Sequence, residues 1–504
     1  MSLSHIEPER DPDTEKDRAG RDLKPAPDIQ VAELAAPAAP RVRSRSRRRF
    51  AAVLLRSLTA VIIGSLILRV AAQMMGLMLQ SYFDRIGILY GAAGIITASF
   101  FLAELVGAPI LGAMSDRYGR KRFIILGPVL GAVAVQITSM TTVIWILVIT
   151  RLLEGLSTAS AIPATLSYIS EATSARPKLR ARIVGLFEIT FIGGMALGAA
   201  LGGVVWENFG GEATILGLHF TSPAFSINGL IYLISLAVFA WGLKGVRRAS
   251  LSREPDPRGK WGHYRAILKS PRVWRLVPAW IALNSVIGIW FNYSIRLLTG
   301  KNGSQAEAGA VAPIDSPAAP AYEGQLLMGL WSDSPRDVYV GFGILLIIFA
   351  AGVMIWSFYL GRYRKITAMI AATFGLAAIL PSIYGLNHLD SLSSPLLYPF
   401  AASLLLGVVI LSGFAPAALT YLADVTELHA EDRGTIMGLY SVFLGVGQFI
   451  GTASGGFFAQ WKGIDGLVLL SVVFGIITLI SLFSLRKQGL IPSDMDSTRQ
   501  NLSN

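Results

Sequence analysis

The sequence predicts an all-α polytopic membrane protein of about twelve transmembrane helices, arranged as two pseudo-symmetric six-helix bundles. The first observation is composition: 53% of the 504 residues are apolar, 15% are charged, and the mean hydropathy is +0.55. Soluble proteins carry roughly 25% charged residues. The second observation is a series of apolar runs, each long enough for the about 20 residues that a helix needs to cross a bilayer. The third is an internal sequence repeat.

The apolar runs define the elements in chain order. Six precede a charged connector, near residues 53–81, 88–113, 123–141, 143–170, 182–206 and 222–243, and six follow it, near 273–298, 337–359, 366–386, 396–423, 434–460 and 465–485. The chain then divides into a disordered basic tail (1–50), an N-terminal bundle (51–243), a connector (244–272), a C-terminal bundle (273–486) with a long outer loop (299–335), and a second tail (487–504). For the outer loop, a flexible cap and a neutral insertion both remain open.

Basic residues collect in the connections on one side of the predicted spans. They include RVRSRSRRR at 41–49 and SDRYGRKR after the second span, whereas the opposite connections carry little excess base. Because basic loops stay in the cytoplasm, we expect both termini inside and a multi-pass protein of a bacterial inner (plasma) membrane. The arginine run abuts a span, so we expect it to contact anionic membrane lipids and not nucleic acid.

The two halves repeat each other at a constant offset of 253 positions. Pro163, Tyr168, Thr173 and Arg180 meet Pro416, Tyr421, Thr426 and Arg433, Glu171 meets Asp424, and Gly194, Gly198, Gly202 and Gly203 meet Gly447, Gly451, Gly455 and Gly456. Tyrosine, acid, threonine and arginine in one register indicate a duplication. Carriers built from such repeats bind their substrate between the halves.

The loop GAMSDRYGRKR resembles the major facilitator superfamily signature G-x-x-x-D-R-x-G-R-K/R-R. The matching residues are Gly112, Asp116, Arg117, Gly119, Arg120, Lys121 and Arg122, and the resemblance covers about residues 50–487. Gly112 favours close helix packing, and Asp116 can pair with Arg120 four residues on. The resemblance implies that Asp116, Arg120 and Glu171 form a charge cluster that latches the two halves. The alternative is that these charges only set topology, and the counterpart GRYRK (361–365) lacks the acid.

The fifth span contains GGMALGAALGG, which resembles the antiporter motif G-x-x-x-G-P-x-x-G-G of that family. Gly194, Gly198, Gly202 and Gly203 match, but Ala199 stands where the family has proline. Without that proline the helix need not kink. A plain packing face explains these glycines equally well.

Four charges lie deep within the predicted spans of the first half: Arg69, Glu104, Arg151 and Glu154. At about 1.5 Å per residue they reach near the middle of a core about 30 Å thick. Arg151 with Gly155 resembles the family's fourth-helix R-x-x-x-G pattern, which implies proton coupling. Intramembrane charges are costly and tend to be functional, so the four predict a central network in which an acid takes up a proton. Two structural ion pairs that never titrate are the alternative.

Polar and aromatic residues in the first and seventh spans predict a substrate cavity. They are Gln73, Trp290, Asn292 and Arg296, accompanied by Met74, Met75 and Met78. Cavities lined by methionine and aromatic rings suit amphiphilic molecules. Packing against lipid is the alternative for the apolar members.

Other function classes are disfavoured. No G-x-x-x-x-G-K-[ST] phosphate loop occurs, which argues against direct ATP drive. The chain lacks cysteine and its five histidines are scattered, so we expect no metal site, cofactor or enzymatic cluster. With the resemblance, this predicts a monomeric secondary transporter of a small-molecule substrate, working by alternating access as a proton-coupled exporter of amphiphilic or drug-like compounds. A proton symporter importing a sugar, organic acid or other metabolite, a lipid exporter or flippase, and a non-transporting receptor remain alternatives.

Overall fold

The computed structural model describes residues 42–173, 176–215, 217–243, 271–300, 324–360, 363–427 and 433–487. Most of both predicted tails, most of the connector and much of the outer loop lie outside the described residues. The helices are α1 (Val42–Arg85), α2 (Tyr90–Tyr118), α3 (Arg120–Thr138), α4 (Ile144–Ala172), α5 (Pro177–Phe209), α6 (Pro223–Gly242), α7 (Pro271–Thr299), α8 (Pro335–Tyr359), α9 (Lys365–Thr373), α10 (Gly375–Asn387), α11 (Leu397–Leu411), α12 (Phe414–Glu427) and α13 (Arg433–Lys487). We refer to α1–α6 as the N lobe and α7–α13 as the C lobe, and to the inner and outer sides as the basic loops predict them.

Eleven helical segments of the described residues are long and apolar enough to cross a membrane. The last of them, Val442–Lys487, has 46 residues, and a helix of that length spans about 69 Å, more than twice the bilayer core. Its backbone leaves the helical region at Lys462 and Gly463, where Gly463 has φ 58°. The break divides this segment into two crossings, which brings the described spans to the twelve predicted.

Two local elements differ from the sequence prediction. Helix α1 begins at Val42, inside the tail predicted to be disordered, because no glycine or proline separates the arginine run from the first span and arginine is a good helix former. A small antiparallel hairpin, β1 (Ala213–Ile215) with β2 (Leu218–Phe220), connects α5 to α6. The period-two signal of three-residue strands is too short to recognise in sequence.

Each lobe has its own hydrophobic core. The N-lobe core includes Met74, Met75 and Met78, all fully buried beside Tyr82 and Phe225. The C-lobe core is built by α7, the helices that follow it and both parts of α13. The methionine run therefore packs in the interior of the N lobe instead of lining a cavity, as its flexible side chains fill irregular gaps.

The sequence repeat is also a repeat of packing. In the N lobe, a Cβ added at Gly194 would lie 2.6 Å from Cβ of Arg69 on α1. In the C lobe, a Cβ added at Gly447 would lie 2.6 Å from Cβ of Asn284 on α7. A side chain at either position would push the neighbouring helix away, so the glycines of α5 and α13 allow the close approach of α1 and α7 respectively.

The last part of the outer loop is ordered against the C lobe. The backbone N–H of Leu326 donates to the carbonyl of Asn387 at 2.7 Å, and that of Gly329 donates to the carbonyl of Leu297 at 2.8 Å. Met328 enters the C-lobe core. This segment ties the outer ends of α7 and α10 together, which an unattached cap would not do.

Candidate functional site

The three predicted latch residues meet at the inner end of the N lobe. Nη1 of Arg120 lies 2.7 Å from Oε2 of Glu171, and Nη2 lies 3.5 Å from Oδ1 of Asp116. Arg120 also donates to the carbonyl oxygen of Ser167. The arginine at the start of α3 therefore joins the end of α2 to the end of α4. The three side chains are a quarter to two-fifths exposed, so their net contribution to stability is about 0–1 kcal/mol.

The other residues of the signature lie at the turn between α2 and α3 and beside it. Gly119 has φ 103°, a backbone conformation that favours glycine, and it ends α2 and begins α3. A Cβ added at Gly112 would lie 3.5 Å from Cβ of Pro163, which is ordinary van der Waals contact. Arg117 is exposed and Lys121 is half-buried.

The first buried pair of charges lies within α4. Arg151 and Glu154 form an ion pair one turn apart, with side chains 4% and 1% exposed. The Arg151 guanidinium also sits 4.7 Å from the ring centroid of Phe100 on α2. Among the described residues, Oε1 of Glu154 and the hydroxyl of Tyr232 have no hydrogen-bond partner. The pair is therefore enclosed by protein and incompletely satisfied.

The second pair joins α1 to α2. Arg69 interacts electrostatically with Glu104, whose carboxyl also interacts with the Thr158 hydroxyl. The Arg69 guanidinium lies 4.7 Å and 4.8 Å from the ring centroids of Phe187 and Phe191 on α5. Glu104 is partly accessible, whereas Arg69 is buried. Glu104 is therefore less enclosed than Glu154, which is fully buried.

The two pairs are neighbours across the contact of α2 with α4. A Cβ added at Gly155 would lie 3.1 Å from the backbone nitrogen of Glu104, and Thr158 lies one turn beyond Glu154 on the same helix. The structure thus places the four predicted network residues as two adjacent pairs in the N lobe.

The four predicted cavity residues are not brought together. Nε1 of Trp290 donates to Ser471 at 3.0 Å, and Nδ2 of Asn292 donates to Thr452 at 3.0 Å, both inside the C lobe. Gln73 packs under Gly198. Helix rotation decides these orientations, and the sequence does not fix it, because lipid-facing and core-facing sides of a span are both apolar.

Arg296, the fourth of those residues, lies at the outer end and joins the two lobes. Its Nε donates to Oδ1 of Asp84 on α1 at 2.8 Å, and its Nη2 donates to the carbonyl of Ile88. The guanidinium lies 4.0 Å from the ring centroid of Tyr90. Sequence reasoning does not single out Asp84, because it falls at the end of a span, where an acid needs no special explanation.

A second set of contacts closes the same end. The hydroxyl of Tyr339 on α8 lies 2.8 Å from that of Ser81 on α1 and donates to the carbonyl of Leu77 at 3.2 Å. Gly203 on α5 packs directly under the Tyr339 ring. We call Ser81, Asp84, Arg296 and Tyr339 the outer seal.

Comparison with known proteins agrees with this architecture. The sequence profile of the Major Facilitator Superfamily matches residues 61–386 and 328–494. The nucleoside transporter NupG superposes with a TM-score of 0.64 at 13% identity, over 86% of this chain and 98% of that one. A D-xylose–proton symporter superposes with a TM-score of 0.53 at 12% identity, over 86% of this chain and 97% of that one. At these identities the likeness shows the fold alone.

Among curated proteins, the class C tetracycline resistance protein of Escherichia coli is 34% identical over 165 residues, which are 32% of this chain and 39% of that protein. Multidrug resistance protein 2 of Bacillus subtilis is 30% identical over 112 residues, 22% of this chain and 28% of that protein. An uncharacterized MFS-type transporter of Methanocaldococcus jannaschii is 23% identical over 76% of this chain and 86% of its own length. The chain thus spans well under half of the resistance proteins that it matches.

Proposed function

This chain belongs to the Major Facilitator Superfamily of secondary transporters, and we propose that it exports amphiphilic or drug-like small molecules in exchange for protons. The observation that carries the proposal is the pair of arginine–glutamate contacts in the N lobe, Arg69 with Glu104 and Arg151 with Glu154. Such charges are costly inside a membrane unless paired or hydrated. They are therefore hard to explain as packing alone.

The proposed coupling uses the pair of Arg69 with Glu104. While Arg69 stays beside Glu104, its positive charge favours the carboxylate. When substrate binding or helix movement separates them, the carboxyl is left in a poorly solvated site and takes up a proton. Return of Arg69 expels that proton. Glu104 is the proposed carrier because it is the more accessible of the two acids, and Glu154 is proposed as the second member of the relay.

The direction of transport is proposed from the relatives. Two that share at least 30% identity over part of their length bear the names of tetracycline and multidrug resistance proteins. The closed outer seal fits the state in which an exporter would take up substrate from the predicted inner side, a state through which an importer also passes. The inner cluster of Asp116, Arg120 and Glu171 is the proposed latch of the opposite, outward-facing state.

A disulfide across the closed outer side tests whether the lobes must separate for transport. A Cβ added at Gly343 on α8 would lie 4.0 Å from Cβ of Ala199 on α5, within the about 3.5–4.5 Å of natural disulfides. The native chain has no cysteine, so Ala199→Cys with Gly343→Cys gives one defined crosslink. The two single-cysteine variants are the matched controls.

In proteoliposomes containing a pH-sensitive dye, we expect addition of a resistance-type compound to change the lumen pH. Oxidation should abolish this flux in the double variant, a reductant should restore it, and the single variants should not respond. Flux that persists in the crosslinked protein would contradict alternating access. Substrate binding without any flux in the reduced protein would favour the receptor, and proton flux with a sugar or organic acid alone would favour the importing symporter.

A further inference from the structure

We propose that the ion pair of Asp84 with Arg296 is the outer lock of the transport cycle, and that a proton taken up by Asp84 from the outer side opens it. The proposal rests on the proposed function in that it assumes alternating access. It names an acid outside the central pairs and gives it a separate role, which is to sense the outer proton concentration instead of carrying the coupled proton.

The geometry separates the roles of the two partners. Asp84 belongs to α1 of the N lobe and Arg296 to α7 of the C lobe, so the outer side cannot open without parting them. The Arg296 side chain is 3% exposed, whereas that of Asp84 is 25% exposed. The acid is therefore the more exposed partner of the pair, and in this proposal it is the one that takes up a proton from outer water.

Arg296 is held to the N lobe by more than the carboxylate. It donates to the carbonyl of Ile88 and stacks on the ring of Tyr90. Gly300, at the end of α7, packs directly against the Asp84 carboxyl. The Arg296 guanidinium is thus held at the lobe interface by three contacts with the N lobe.

Among the residues that the structure describes, the other charged and titratable groups around Asp84 do not replace Arg296. Tyr339 on α8 is close enough to sense the Asp84 charge, but it is a neutral phenol that bonds to Ser81. Arg85, the next residue on α1, turns toward the hairpin side, where it donates to the carbonyls of Gly210 and Thr221 and lies 3.6 Å from Glu212. Within the described part of the chain, Arg296 is the cation that pairs with Asp84.

Protonation of Asp84 acts on the closed state through Arg296, which keeps its charge. A proton from outer water binds a carboxylate oxygen of Asp84, and no other bond is made or broken. The neutral acid no longer compensates Arg296, and a buried cation without its counter-charge is strongly unfavourable. The closed state therefore loses stability relative to a state in which Arg296 reaches water. Acid in the outer medium thus favours opening of the outer side, where an exporter releases its substrate and binds protons.

A cysteine reporter measures this opening without any substrate. Ala199 is fully buried at the lobe interface, and Ala199→Cys places one thiol there in an otherwise cysteine-free chain. In right-side-out vesicles we would measure its labelling by a membrane-impermeant maleimide. The rate is divided by that of Ser391→Cys, an exposed position on the outer side, because thiol reactivity itself depends on pH.

We expect this ratio to rise about tenfold as the outer medium is taken from about pH 8 to about pH 5, a shift that a modest change in the closed–open equilibrium supplies. With Asp84→Asn or Arg296→Gln added, the ratio should be high at every pH. The double reversal Asp84→Arg with Arg296→Asp should restore low labelling at about pH 8. A wild-type ratio that does not change with pH, or a low ratio in both single variants, would overturn the lock.

The outcome is distinguishable from failure of the proposed function. Labelling that responds as expected, with no proton flux for any compound in proteoliposomes, would reject the exporter and leave the lock standing. Flux that depends on Glu104 but labelling that ignores Asp84 would reject the lock alone. Elution of each variant as a single species on size exclusion establishes that high labelling does not come from unfolding.

Discussion

The two lobes share a scaffold and differ in charge. Gly194 admits α1 at Arg69, and the equivalent Gly447 admits α7 at Asn284. At the repeat offset, Arg151 and Glu154 correspond to Leu404 and Gly407. Duplication has thus kept the small residues that set helix spacing, while the C lobe has neutral residues where the N lobe has its buried charges. The two lobes therefore differ in charge at equivalent positions, and the proton chemistry proposed above belongs to the N lobe.

The contacts of the outer seal also differ in charge. Tyr90 begins α2 and faces Arg296 of the C lobe, and Tyr339 near the start of α8 faces Ser81 of the N lobe. The tyrosine of the N lobe thus meets a cation, and that of the C lobe meets a hydroxyl. The outer seal therefore joins the lobes through one charged contact and one neutral contact.

The largest expected effect comes from unbalancing the buried pair in α4. Arg151→Leu or Glu154→Leu leaves an uncompensated charge in the N-lobe interior, and we expect each to lower the free energy of unfolding by about 3–5 kcal/mol. The double variant, which copies the neutral character of the C lobe, should unfold within about 1 kcal/mol of the wild type. Unfolding in a graded detergent series measures all three.

The proposed difference in charge between the lobes would be contradicted if Arg151→Leu and Glu154→Leu were each as stable as the double variant. Leu404→Ala in the C lobe is the matched control for a change of packing at the equivalent position, and it should behave as an ordinary loss of side-chain volume. Equal stability of all variants would mean that the pair is solvated and that the lobes do not differ in the way proposed.

A smaller effect is expected from filling the glycine faces, and it should be equal in the two lobes. Gly194→Ala and Gly447→Ala each place a methyl group 2.6 Å from a neighbouring Cβ, and we expect each to cost about 1–3 kcal/mol. Gly185→Ala is the control, because a Cβ there meets nothing within 4 Å. Thermal melting of the purified variants would sharpen the comparison, and a large difference between Gly194→Ala and Gly447→Ala would show that the packing is not equivalent.

Several features of the molecule could be predicted from its sequence for physical reasons. A helix that crosses a membrane needs a long apolar run, so the sequence predicts the spans. A close helix contact needs glycine, so the sequence also predicts the repeated packing positions Gly194 and Gly447. The ion pair of Arg151 with Glu154 follows from a spacing of three residues on one helix. The cluster around Arg120 is implied by a family signature, and the structure shows its members in contact.

The features that sequence did not reveal depend on distant partners or on helix rotation. Asp84 and Arg296 are separated by 212 positions, and no local pattern indicates that they meet. Trp290 was expected beside a cavity, yet it bonds to Ser471, because an apolar span gives no signal for which face points to lipid, core or pathway. The docked part of the outer loop is held by backbone hydrogen bonds, by the side chain of Gln325 and by the burial of Met328, and each of these partners is distant in sequence.

The most direct test of the account is uphill transport by Glu104→Gln, compared with wild type and with Glu207→Gln, an exposed glutamate near the outer end of α5. In proteoliposomes with an imposed proton gradient, we predict that Glu104→Gln loses accumulation against a substrate gradient and keeps exchange of labelled for unlabelled substrate, while Glu207→Gln retains both. Unchanged accumulation by Glu104→Gln would contradict the claim that the charged lobe couples transport to protons through this acid.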